Sequence, residues 1–215
     1  MKHTGRHVTG AALVGYAILQ VLGRQAGATA EERRRALPGD EVVTEPQMVT
    51  NHAITIDAPP EDVWPWLTQM GWHRGGYYTP RWVDQLLFPA NWPSLDHLEP
   101  ALLRDLAVGD TIPDGAPGTA WYVVHEVAAP NTLVLHSTTH LPPSWRERAG
   151  AAIDWTWGFD LTEVAGHGTR LQLRVRGRLS PWLLKAGYLL VIVPADYVMG
   201  MGMLRGLKQR AEMTR

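Results

Sequence analysis

The chain has 215 residues, of which 45% are apolar and 19% charged, and its formal net charge is −1. This length fits one domain with a sizeable core plus an extra N-terminal segment, and the balanced charge gives no electrostatic reason to expect a nucleic-acid partner. The absence of cysteine excludes disulfides, thiolate metal ligands and a cysteine nucleophile. Ten Trp against two Phe, together with seven Met, favour an aromatic-lined internal cavity over a core that the indoles simply fill.

The first 30 residues start with a basic segment and continue with an uncharged apolar run over residues 8–23. Three interpretations fit this pattern. A signal peptide would have its cleavage site at the small residues 28–30, although Arg24 interrupts the usual order. A membrane-spanning helix needs about 20 apolar residues, more than this run has. A helix that lies on a membrane or docks on a partner requires neither and is favoured. Residues 31–48 are then expected to be a charged linker to a domain at 49–215.

The first strand and helix of that domain have clear signals. Residues 52–57 alternate between apolar and polar side chains, which predicts a half-buried strand. Pro59 and Pro60 end the strand because proline cannot donate a ladder hydrogen bond, and a proline also suits the first turn of a helix. Glu61 and Asp62 place negative charge at the positive end of that helix. A second short helix is predicted at residues 81–87, after a glycine-rich loop.

Strand-like segments follow without an intervening helix, at residues 111–112, 119–127, 132–137, 153–161 and 170–179. Such a succession predicts an antiparallel sheet of the α+β class. In the segment 153–161 the apolar positions include Trp155 and Trp157, so we expect both indoles to face the interior. On the opposite face, Arg174 and Arg176 of the last strand are expected to pair with the two aspartates of the strand before it.

The C-terminal region is predicted to be a long helix. Ser180 and Pro181 form a helix-start signal, and Pro194 predicts a break or kink between residues 182–193 and 195–213. Met199 and Met203 fall on its apolar face, where flexible side chains adapt to irregular shapes. The stretch 186–204 also fits a membrane segment, but the proline and the glycines favour a helix that packs on the sheet.

Six segments, in the expected order, resemble the START-like, or SRPBCC, superfamily, and more narrowly a bacterial subgroup of it. They are LPGDEVV (37–43), AITIDAPPEDVWPWLTQMG (53–71), RGGYY (74–78), LAVGD (106–110), TRLQLRVRGR (169–178) and MLRGLKQRAE (203–212). The superfamily includes the birch-pollen allergen, aromatic polyketide cyclases and lipid-transfer START domains. The resemblance implies a helix-grip fold: a curved antiparallel sheet of about six to seven strands around a long C-terminal helix, with two short helices after the first strand. The extra N-terminal helix precedes it.

Two functions from different classes follow from this resemblance. The first is binding of a hydrophobic small molecule or lipid in an internal aromatic-lined cavity, by a cytoplasmic protein with membrane contact through residues 8–23. The second is a cofactor-free polyketide cyclase or dehydratase that uses acid–base residues of the cavity. The sequence contains no P-loop, dinucleotide fingerprint, HExxH or GxSxG motif, and its histidines lack metal-ligand spacing, so no cofactor or metal is expected.

The candidate site residues are those expected at the cavity or its mouth. For ligand binding they are Trp66, Arg74, Tyr77, Tyr78, Trp82, Asp84, His136, Trp155, Trp157, Met199 and Met203. For acid–base chemistry the candidates are Arg74, Tyr78, Asp84, His136 and His140. An arginine beside two phenols can bind an anionic or carbonyl-bearing ligand through charge-assisted hydrogen bonds. Two titratable groups at a common point would favour the enzyme, and an apolar cavity would favour the carrier.

Overall fold

The structure, a computed structural model, describes residues 2–87, 89, 93–166 and 168–213. Its helices are α1 (Lys2–Gln25), α2 (Ala30–Arg34), α3 (Pro60–Thr68), α4 (Arg81–Leu87), α5 (Pro143–Ala149), α6 (Trp182–Gly187) and α7 (Val193–Met213), with a π-helical turn at Tyr188–Ile192 between the last two. Its strands are β1 (Met48–Ile56), β2 (Thr111–Pro113), β3 (Trp121–Ala128), β4 (Thr132–Ser137), β5 (Ala152–Val164) and β6 (Gly168–Ser180).

The six strands form one curved antiparallel sheet in the order β1-β6-β5-β4-β3-β2. The long helix α7 packs against the inner face of this sheet, and α3 contacts the same helix. The α+β helix-grip architecture predicted from the sequence is therefore confirmed, with six strands and an additional N-terminal helix. The inner-face side chains of β5 and β6 contribute to the core, where they join buried residues of the other strands and of α3 and α7. They include Phe159, Leu161, Leu171 and Leu173.

Of the break or kink that the sequence predicted at Pro194, the break is absent. Helical structure runs without interruption from Trp182 to Met213, and the irregularity is the π-helical turn that ends just before the proline. A proline has no N–H for the carbonyl four residues earlier, which here belongs to Leu190. That carbonyl instead accepts a hydrogen bond of 2.6 Å from the Tyr16 hydroxyl of α1. The proline thus creates an attachment point for the N-terminal helix.

Helix α1 packs on α7 and β1 along its C-terminal half. Gly23 lies against the Val193 carbonyl so closely that a β-carbon there would overlap it. Beyond the helix, Ala26 is part of the hydrophobic core, and its carbonyl accepts a hydrogen bond of 3.1 Å from the amide of Ala53. Gly27 pairs with His52 as an isolated antiparallel bridge. Residues 20–27 are consequently integrated into the domain.

The segment after α1, expected to be a linker, lies over the outer face of β1 and β6. Arg170 binds both carboxylate oxygens of Glu32, at 2.7 and 2.9 Å, and these hydrogen bonds lower the pKa of Glu32 to about 2. Asp40 accepts from Arg174 at 2.6 Å and approaches Arg176 at 3.4 Å. The outer-face location of both arginines was predicted correctly, but their acidic partner comes from this segment and not from the neighbouring strand.

Candidate functional site

Five aromatic side chains meet between the inner face of the sheet and the C-terminal helix. We call Tyr77, Tyr122, Trp155, Trp157 and Tyr188 the aromatic cluster. The ring centroids of Tyr122 and Trp157 are 5.0 Å apart, those of Tyr77 and Trp157 5.9 Å, and those of Trp155 and Tyr188 6.2 Å. All except Tyr122 keep part of their surface accessible although they lie on the inner side of the fold. The arrangement therefore offers aromatic surface that a small molecule can contact.

A histidine–aspartate pair borders the cluster. The Nε2 atom of His140 lies 2.6 Å from the Asp114 carboxylate, and its Nδ1 atom lies 2.7 Å from the Ser137 hydroxyl. The indole N–H of Trp155 also points at Nδ1, at 3.3 Å. Because an indole nitrogen can only donate, Nδ1 acts as an acceptor and the imidazole proton is on Nε2, bonded to the aspartate. The imidazole ring lies 4.5 Å from the Tyr122 ring, so the histidine and the phenol are neighbours.

The Tyr122 hydroxyl is the most unusual atom of this region. The residue is fully buried, and its hydroxyl has no hydrogen-bond partner. Burial raises its pKa well above the usual value, and the negative charges of Asp114 and Asp196 add to this effect. Leaving such a group unsatisfied costs about 1–3 kcal/mol. A protonated donor of this kind, held without a partner beside accessible aromatic rings, is suited to a ligand oxygen or nitrogen.

Tyr77 and Arg74 form the polar end of the cluster. The Tyr77 hydroxyl donates to the Pro113 carbonyl at 3.1 Å, and burial followed by the nearby Asp114 carboxylate raises its pKa. Arg74 donates to the Thr68 carbonyl at 2.7 Å, while its buried Nε–H has no partner. Burial, assisted by a nearby arginine, lowers the pKa of Arg74. Arg74 is close enough to Tyr77 and Tyr78 for both phenols to influence its pKa, and the binding of a ligand by these three residues stays a prediction.

Tyr78 and Asp84 occupy a different place. The Tyr78 hydroxyl donates to the Trp66 carbonyl at 2.8 Å, and the two rings contact edge to face at 5.8 Å. Asp84 accepts from the Thr79 hydroxyl, and burial raises the pKa of its carboxyl group. These contacts join α3, α4 and the loop between them, so the structure does not bring these residues to the aromatic cluster. Trp82 is largely exposed on α4.

The remaining predicted residues divide between the faces of the sheet. His136 pairs with Asp154 at 2.7 Å on the outer face, so it cannot contribute to a site on the inner face. Met203 is in the hydrophobic core, and Met199 is half-buried on α7. Whether any of these side chains touches a ligand stays a prediction. Within the described part of the chain no three potential metal ligands cluster together.

Sequence reasoning missed Tyr122, Asp114 and Tyr188. The signal for Tyr122 was present, because it alternates with the inward-facing Val124 on β3. Asp114 was unremarkable because it lies in a turn 26 residues from His140, and only the β2–β3–β4 pairing brings the two together. A second unpredicted contact joins the buried His52 of β1 to Asp196 of α7 at 2.8 Å.

No protein-family model and no curated protein matches the chain. Among solved structures, it is similar to the hypothetical protein jhp0584 from Helicobacter pylori, with 11% identity over 82% of this chain and 96% of that one and a TM-score of 0.51. It also matches protein MLL2253 from Mesorhizobium loti, with 19% identity over 78% and 99% of the two chains and a TM-score of 0.46. CalU16 from Micromonospora echinospora is 18% identical over 77% and 84%, with a TM-score of 0.36.

At such identities a structural likeness bears on the fold and not on activity. The likeness to jhp0584 covers nearly all of that chain, and it therefore concerns the fold of the whole domain.

Proposed function

We propose that the protein, as a cytoplasmic member of the SRPBCC superfamily, binds a hydrophobic small molecule with at least one ring against the aromatic cluster. The observation that carries this proposal is the buried, unpartnered hydroxyl of Tyr122 beside accessible indole surface. Indole and phenol faces favour a flat apolar ligand, and the hydroxyl favours one with a hydrogen-bond acceptor. The carboxylates of Asp114 and Asp196, both close enough to influence Tyr122, favour a neutral acceptor over an anion.

The test uses 2-naphthol and naphthalene, two flat probes that differ by one hydroxyl group. Changing Tyr122→Phe should weaken 2-naphthol binding about fivefold and leave naphthalene binding unchanged, since one neutral hydrogen bond contributes about 1 kcal/mol. Equilibrium dialysis measures both affinities. The same change should preserve or raise the melting temperature of the free protein, because it removes a buried polar atom that has no partner.

The matched control is Tyr78→Phe, another buried phenol whose hydroxyl does have a partner, the Trp66 carbonyl. That change should destabilise the protein by about 1 kcal/mol and leave both affinities alone. The proposal fails if unmodified protein binds neither probe, or if Tyr122→Phe destabilises the chain as Tyr78→Phe does and both probes bind as before.

A second candidate, a cofactor-free acid–base enzyme, is favoured by the pair of His140 and Asp114 beside Tyr122. The Nδ1 lone pair of His140 could take a proton next to a ligand carbonyl, Asp114 would stabilise the resulting imidazolium, and the Tyr122 hydroxyl would donate to the enolate oxygen.

The expected result is faster deuterium incorporation at the α-carbon of 1-tetralone in heavy water, followed by NMR. His140→Gln should lower that acceleration about 10²-fold, a typical contribution of a positioned base. His136→Gln, on the outer face of the sheet, should have no effect. If the unmodified protein does not accelerate the exchange, the enzyme candidate fails and ligand binding is the one remaining proposal.

A further inference from the structure

Helices α1 and α6, together with the π-helical turn, present apolar side chains to solvent. We call the following exposed residues of these segments the helical patch: Leu13, Val14, Ile18, Trp182, Leu190 and Val191. Each is more than half exposed, and Trp182 is exposed to 72%. Scattered exposed apolar residues are normal on a protein surface, but a continuous group of large ones indicates an interaction site.

Two hydrogen bonds join the α1 part of the helical patch to its π-helical part. The Tyr16 hydroxyl donates to the Leu190 carbonyl at 2.6 Å, and the Gln20 amide donates to the Leu189 carbonyl at 2.9 Å. They hold α1 beside the π-helical turn, so the exposed side chains of the two elements are neighbours. A shallow groove on α1 between residues 14 and 22 is lined by apolar atoms alone.

The elements that carry the helical patch contain charged residues of one sign. Helix α1, helix α6 and the π-helical turn have no Asp or Glu in their sequences, which include Lys2, Arg6, Arg24 and Lys185. An apolar helical face with basic residues around it is the pattern of proteins that lie on anionic lipid surfaces, where each nearby cation adds about 1 kcal/mol of attraction. Trp182, with its amphipathic indole, suits the boundary between headgroups and acyl chains.

We infer that the helical patch docks the protein on the surface of a bilayer that contains anionic lipids. A second copy of the chain is a poorer occupant, because it would bring together two sets of helices whose charged residues are all basic. A transmembrane arrangement of the protein is also disfavoured. Among the described helices only Trp182–Met213 is long and apolar enough to cross a membrane. Its second half is packed on the sheet, where Asp196 bonds to His52.

The experiment is flotation of the full-length protein with vesicles of phosphatidylcholine alone or with one-quarter phosphatidylglycerol. Binding is expected to the anionic vesicles and to weaken with added salt. Ile18→Glu and Leu190→Glu should each reduce that binding about tenfold or more. Each removes an apolar side chain that the bilayer would bury, and each adds a negative charge that the anionic lipids repel. Val108→Glu is the control, since Val108 is 67% exposed on a loop outside the patch.

Light scattering of the same proteins without lipid tests whether a second copy of the chain occupies the patch instead. A monomer whose vesicle binding is lost in both patch variants and kept in the control supports the inference. A dimer that Ile18→Glu converts to a monomer would overturn it in favour of a second copy. Equal binding of all variants, or no binding to anionic vesicles, would also overturn it. Because 2-naphthol binding should be unchanged in the patch variants, this test is independent of the proposed ligand site.

Discussion

Replacing Arg174 with Met is expected to lower the free energy of unfolding by about 3–5 kcal/mol, the range measured when one partner of a buried ion pair is removed. Arg174 is only 4% exposed. It donates to the Asn51 side chain at 2.7 Å, the Asp40 carboxylate at 2.6 Å, the Arg35 carbonyl at 2.9 Å and the Glu32 carbonyl at 2.8 Å. Methionine fills similar space but removes a charged donor from all four acceptors, and Asp40 then keeps only the Leu37 amide and the more distant Arg176.

Arg178→Met provides the comparison, because it makes the same chemical change on the same strand and face. Arg178 is largely exposed, with a side chain 57% accessible, and its nearest acid, Glu45, lies 3.8 Å away. An exposed pair of this kind contributes less than about 1 kcal/mol. Urea unfolding followed by tryptophan fluorescence measures both variants. Equal midpoints for the two would show that residues 30–45 are not held on the sheet as described.

The second large effect concerns Gly206 on the inner side of α7. Gly206→Ala is expected to destabilise the protein by about 2–3 kcal/mol, as overpacking of a well-packed core does. A β-carbon at this position would overlap the Tyr78 carbonyl oxygen. Tyr78 cannot easily move away, because its amide is bonded to Ser94 and its hydroxyl to the Trp66 carbonyl. The helix would have to shift from the loop instead.

Gly187→Ala separates this clash from the general preference of helices for alanine. Gly187 is helical and exposed, and no atom outside its own helix lies within 4 Å of a β-carbon built there. This change should stabilise the protein by up to about 1 kcal/mol. Thermal unfolding of both variants is the measurement. A higher melting temperature for Gly206→Ala would mean that α7 does not pack on the loop as closely as the structure has it.

The fold was predictable because its signals are local and periodic. Strict alternation placed Trp155 and Trp157 on the inner face, and the proline pair before Glu61 marked the start of α3. The same alternation also predicts the face that His136 occupies. Leu133 and Leu135 face the core, so the residue that follows them must face outward. The resemblance to the superfamily made this histidine a candidate site residue, whereas its pairing with Asp154 lies on the outer face.

The site was less predictable because its contacts are distant in sequence. Periodicity reveals which face a residue occupies, but not which residue lies opposite. The partner of Arg174 comes from a charged segment whose composition resembles a linker, and the partner of His140 comes from a turn. Likewise, Pro194 signalled an irregular helix, but the use of the freed Leu190 carbonyl depends on α1, which the sequence leaves unplaced.

Strand β1 is an edge strand of the sheet, and residues 26–27 lie along its free edge. The amide of Ala53 is already bonded to Ala26, and Gly27 approaches His52 from the same side. An uncovered nine-residue strand would be a template for joining other chains into open-ended polymers. The two residues that follow the N-terminal helix therefore protect the middle of this edge strand from pairing with other chains.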